Sequence, residues 1–105
     1  MSTQWWALIG AGVLEIVWAS MFKNAFKNDH VITAITIAAM IGSFELLWVA
    51  MRSIPVGTAY AVWTGIGAVG AATIGIVAFN EPATALRLGC IALILAGIIG
   101  LKVAA

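Results

Sequence analysis

A bundle of four membrane-crossing helices is the fold class this sequence predicts, and three observations predict it. The chain has 105 residues, is 64% hydrophobic and only 9% charged, and a soluble domain of that size has too little interior to hide so much apolar surface. The apolar residues fall in four runs, approximately 4–22, 31–51, 57–79 and 84–104, each about 19–23 residues long. Roughly 20 residues cross the hydrocarbon core at 1.5 Å per helical residue. The connecting tracts are short and polar, so the expectation is one four-helix membrane domain over residues 1–105.

The first run starts Met-Ser-Thr-Gln-Trp-Trp, without the basic segment of a secretory signal, and Glu15 interrupts its apolar stretch. It reads as a retained helix. An ionised carboxylate near the bilayer centre costs about 2.5 kcal/mol or more, so Glu15 reads as a group that binds protons, cations or both. Lys23 to His30 form the first polar tract. The second run carries Ser43 and Glu45 well inside it and ends before Ser53-Ile54-Pro55-Val56-Gly57, where Pro55 and Gly57 act as breakers. The third run is rich in glycine, and Asn80-Glu81-Pro82-Ala83-Thr84 separates it from the fourth. Trp5, Trp6 and Trp48 lie near span ends, where interfacial aromatics collect.

Helical spacing puts Ala11, Gly12, Trp18, Ala19 and Phe22 beside Glu15 on one face. Tyr60, Trp63, Thr64 and Gly67 have the same spacing in the third run. With Ser43 these can build a polar cavity with aromatic walls and an acid at its floor. Such a cavity suits a cation with a flat hydrogen-bonding face: guanidinium offers paired N–H donors to a carboxylate and stacks on aromatic rings. The hydroxyls of Ser43 and Tyr60 could hold the carboxylate or take the remaining donors. For each aromatic residue, packing or interfacial anchoring is the competing reading.

Gly65 and Gly67 lie midway along the third run, either as a hinge or as close packing. In the fourth run Gly89, Leu93, Ala96 and Gly97 put small residues on neighbouring faces with no polar side chain before Lys102, a pattern suited to association between subunits.

Other classes are poorly supported. The formal net charge is +1, with no basic face for nucleic acid. Cys90 is the sole cysteine, which excludes an internal disulfide and reads as packing. His30 has no second ligand near it, and neither a nucleophile–base pair nor a phosphate loop appears, so no enzyme, metal or cofactor is expected. Orientation is nearly balanced. The side holding both termini has Arg52 and Lys102, and the opposite side has Lys23, Lys27 and Arg87. By the positive-inside rule such a chain can insert both ways round, although a fixed orientation stays open.

Three stretches together resemble the small multidrug resistance family, specifically its guanidinium-exporter branch, over essentially the whole chain. They are Glu15-Ile16-Val17-Trp18-Ala19, Pro55 through Ala68 (PVGTAYAVWTGIGA) and Gly97-Ile98-Ile99-Gly100-Leu101-Lys102. Trp18, Ser43 and the final Gly-Leu-Lys favour that branch over the one exporting polyaromatic cations. The resemblance implies a proton-coupled exporter in the bacterial plasma (inner) membrane, working as an antiparallel dimer with one central glutamate, here Glu15, per subunit. It also implies Trp18, Ser43, Tyr60 and Trp63 as site residues, a kink at Gly65–Gly67 and dimer packing through the fourth span.

Guanidinium-type cations, protons and lipid are the implied partners. A broader quaternary ammonium exporter, or one subunit of a heterodimeric pair, is the alternative. Glu45 departs from the branch, where that position is usually uncharged. It lies about 200° round the helix from Ser43 at 100° per residue, which turns it away from the cavity. Pairing with Lys102 is the preferred expectation, ahead of a second proton site or a match to a partner subunit.

Overall fold

The computed structural model describes residues 2–22 and 29–104. Lys23 and Lys27, two of the basic residues in the orientation argument, lie outside the described residues. Four helices make up the described chain: α1 (Thr3–Met21), α2 (His30–Ala50), α3 (Val56–Ala78) and α4 (Ala85–Ala104). Each begins and ends within a residue or so of an apolar run.

The ends follow from local chemistry. Ser2 Oγ accepts the Trp5 N–H at the start of α1. Asp29 Oδ1 accepts the N–H groups of Val31 and Ile32 at the start of α2, two of the donors a helix start leaves unpaired. Pro55 precedes α3, where its fixed φ suits a helix start. At the other end of α3, the Gly75 carbonyl accepts both the Phe79 and Glu81 N–H groups. Asn80 between them adopts φ 55°, a left-handed conformation that asparagine tolerates better than most residues. Thr84 Oγ1 then accepts the Arg87 N–H, and Arg87 pairs with Glu81 at 3.0 Å.

Helices α2, α3 and α4 are long and apolar enough to cross a bilayer. α1 is not among them. It has 19 residues, but Gln4, Trp5, Trp6, Glu15 and Trp18 lower its hydropathy. Composition alone therefore supports three spans, where the sequence reading expected four.

α1 is the centre of the packing, lying against both α2 and α3, while the backbone of α4 comes close only to that of α3. The buried core of Leu8, Ala50, Ile54, Ala59 and Val62 sits at the end of the bundle where α1 begins, α2 ends and α3 begins. α4 has no buried residue at all, so Cys90, expected to be buried in packing, is exposed. Gly89, Gly97 and Gly100 face open space, and Leu93 is 73% exposed. In one chain this helix is half-packed.

Candidate functional site

Glycines in α3 bring α1 unusually close. A Cβ on Gly67 would collide with the Glu15 carboxylate, and one on Gly70 would collide with Ile16. The reciprocal contact is Gly12 of α1, where an added Cβ would come within 2.6 Å of Ile66 Cγ2. Small residues at helix crossings allow such backbone approach, and here one of the three notches receives a carboxylate. The carboxylate of Glu15 is thereby seated against the backbone of α3. Its Oε2 is buried with no hydrogen-bond partner among the described residues, and so is Trp18 Nε1 one turn along. A buried acceptor and a buried donor left unpaired on one helix are costly unless a ligand or water serves them. Trp18 itself packs edge-on to Phe22 at 6.0 Å.

Ser43 bonds to groups other than the Glu15 carboxylate. Its hydroxyl is fully buried and donates to the Ala11 carbonyl of α1 at 2.7 Å. The same oxygen accepts the Trp63 Nε1–H at 2.9 Å. The hydroxyl proton is thus committed to α1, so Ser43 makes no bond to Glu15. It fixes the indole of Trp63 and links three helices through one oxygen.

The expected face of Tyr60, Trp63, Thr64 and Gly67 divides in space. Gly67 turns to Glu15 and Trp63 to Ser43, whereas Tyr60 and Thr64 line an open groove of about 720 Å³ between α3 and α4, closed at one side by Ile94. The rings keep the two halves continuous. Tyr60 lies 5.6 Å from Trp63, which lies 5.8 Å from Phe44 of α2, both within the range of stabilising aromatic pairs. Phe44 had no signal in the sequence, because a phenylalanine in an apolar run is ordinary. Gly65 seats Ile98 and Ile94 of α4, with Ile98 Cδ1 3.0 Å from an added Cβ. α3 runs uninterrupted through both Gly65 and Gly67.

The expected Glu45–Lys102 pair does not form within the chain. Lys102 Nζ lies over the Trp5 ring at 4.8 Å, and α2 and α4 do not pack together. Glu45 is exposed on the outer face of α2 and makes no ion pair among the described residues. Arg52, on the same helical face, lies over Trp48 at 4.1 Å.

Comparison with known proteins identifies the family. The family model described as Small Multidrug Resistance protein matches residues 3–94. Proteins named guanidinium exporter, from Escherichia coli K12, Citrobacter freundii and Salmonella typhimurium, are each 56% identical over 99 residues, covering 93% of this chain and 94% of the relative. A family match over most of the chain and identity at this level leave one assignment: the chain is a member of the small multidrug resistance family.

Proposed function

We propose that this protein is a proton-coupled antiporter that exports guanidinium or small substituted guanidinium cations, acting as an antiparallel dimer in the bacterial inner membrane. One observation carries the reading. Glu15 is a carboxylate well inside α1, seated on Gly67, with an unpaired buried oxygen in a relative of guanidinium exporters. A planar cation with paired N–H donors answers an unpaired carboxylate in a bidentate fork. Trp18, Trp63 and Tyr60 then offer aromatic faces worth about 0.5–2 kcal/mol each to a desolvated cation, with Ser43 holding Trp63 in place.

Coupling follows from exclusion. Cation binding requires the ionised carboxylate, and protonation removes it, so the two ligands compete for Glu15. If the empty charged form rarely changes sides, inward proton flow drives outward cation flow. Two such glutamates in a dimer repel each other and titrate as a pair. The dimer is supported by α4, which presents open glycines and exposed leucine, and by the groove beside Tyr60, which one chain leaves uncovered.

Currents on solid-supported membranes test this with purified protein alone. Guanidinium should drive currents that weaken on acidification, while tetramethylammonium, with no N–H to donate, should drive little or none. Glu15→Gln should abolish them with folding intact. Guanidinium-driven proton release persisting in that variant would remove Glu15 from the mechanism. Equal currents with tetramethylammonium would favour the quaternary ammonium reading instead.

A further inference from the structure

Lys102 lies apart from the residues gathered round Glu15, and no acid pairs with it among the described residues. It lies at the mouth of a second groove, distinct from the one beside Tyr60. The floor is α3, through Val62 and Ile66; the walls are α1, through Ile9, and α4, through Ile98 and Ile99. α1 and α4 do not pack against each other, and across their gap Lys102 Nζ reaches the Trp5 ring at 4.8 Å. The groove holds about 200 Å³, room for roughly seven methylene-sized groups taken at the volume of a water molecule. Apart from Lys102 its lining is hydrocarbon and aromatic.

The mouth lies at the first turn of α1 and the last turn of α4, which is interfacial depth. An ammonium group and an indole at that depth are the partners of a lipid headgroup. The charge at this end of the bundle is one-sided. Arg52 and Lys102 both lie there, each over a tryptophan, and residues 2–5, 50–57 and 100–104 contain no carboxylate side chain. The last carbonyls of α4 partly offset the ammonium charge, but among the described residues they leave it without a carboxylate that can follow it into the headgroup layer.

We propose that this groove binds an anionic phospholipid, with the acyl chain between α1 and α4 and the headgroup phosphate on Lys102 beside Trp5. The chain contributes apolar contact, which any lipid would supply. Lys102 contributes selectivity for a negative headgroup. An attraction of this kind raises affinity about fivefold per basic residue near the surface.

The test uses full-length protein in phosphatidylcholine bilayers with trace spin-labelled phosphatidylglycerol or phosphatidylcholine, reading the motionally restricted fraction of each. The parent should prefer phosphatidylglycerol several-fold. Lys102→Gln should lower that preference about fivefold, and Lys102→Arg should retain it. Arg52→Gln, away from the groove, should lower it less than Lys102→Gln does. Ile99→Trp, which fills a wall while keeping the charge, should also lower it and so provides a second route if the Gln variant folds poorly. Equal restriction of the two labels in the parent overturns the proposal, as does a preference unmoved by both Lys102→Gln and Ile99→Trp. Displacement by millimolar inorganic phosphate would assign the mouth to a free anion and overturn it too. Loss of the preference as the protein-to-lipid ratio rises would show that a second copy covers the groove, which is equally incompatible with a bound lipid.

Discussion

Gly67 has two readings that a single pair of variants separates. As a seat it must lack a side chain, because a Cβ would occupy the space of the Glu15 carboxyl carbon and one of its oxygens. As a hinge it shares its role with Gly65, where an added methyl would meet the side chains of Ile98 at 3.0 Å and Ile94 at 3.4 Å, not a carboxylate. The seat reading expects Gly67→Ala to weaken guanidinium binding tenfold or more, in keeping with the ~1–3 kcal/mol of overpacking a filled site. Gly65→Ala should cost little. Calorimetric titration of both variants decides between them, and equal losses would restore the hinge. Ser43 is argued in the same way, through what it touches. Ser43→Ala leaves the Trp63 Nε1–H without its acceptor, at about 1–3 kcal/mol for a buried unpaired group, while the Ala11 carbonyl keeps its bond within α1. Its effect on substrate affinity should pass through the indole. In a Trp63→Phe background, which has no N–H to hold, Ser43→Ala should cost much less than in the parent. Additive losses in that double-mutant cycle would mean that Ser43 meets the substrate directly.

The four helices were legible because apolar length is a strong signal and because Pro55 and Gly57 break the chain where α3 begins; the caps at Asp29 and Thr84 emerged only from the structure. The acid stood out for a related reason: a carboxylate inside an apolar run has few innocent explanations. What spacing could not give was the partner of each face. Tyr60 and Trp63 are three residues apart and their rings touch, yet they open to different sides of α3, because α1, α2 and α4 surround it unequally. The Ser43–Ala11 bond crosses 32 positions, and Lys102 chose an aromatic ring on α1 over a carboxylate on α2. Such choices are tertiary, and no periodicity encodes them. α4 shows the converse, a helix whose sequence pattern has no use inside the chain. Within the protomer, Gly97→Leu should be harmless or slightly favourable, since nothing lies within 4 Å of that glycine and leucine is the better helix former by somewhat under 1 kcal/mol. If α4 packs between subunits, the same change should shift the monomer–dimer equilibrium in bilayers at least tenfold toward monomer with helix content unchanged. An unaltered equilibrium would take Gly97 out of the interface.

At the scale of the whole molecule, the open α4 face, the uncovered groove beside Tyr60 and the even spread of basic residues all bear on assembly. An antiparallel pair needs the same chain inserted in both directions. The sequence has Arg52 and Lys102 on one side and Lys23, Lys27 and Arg87 on the other, too small a difference to fix orientation by the positive-inside rule. Arg87 is further tied to Glu81 at 3.0 Å and to the Pro82 carbonyl at 2.9 Å, which holds that cation to its own loop without removing it from the count. Balance of this kind is fragile, and that makes it testable. Thr3→Lys, Ser53→Lys and Ala104→Lys together raise the terminal side from two basic residues to five, all at exposed positions. Arg52→Gln with Ala83→Lys leaves one against four. Each set should drive insertion in a single, opposite direction, read by terminal reporter fusions active on only one side of the membrane. If function requires the antiparallel pair, either set expressed alone should lose most guanidinium export, and co-expression of the two should recover it because each supplies the orientation the other lacks. Full export from one fixed-orientation set by itself would show that a parallel assembly, or a single chain, is enough.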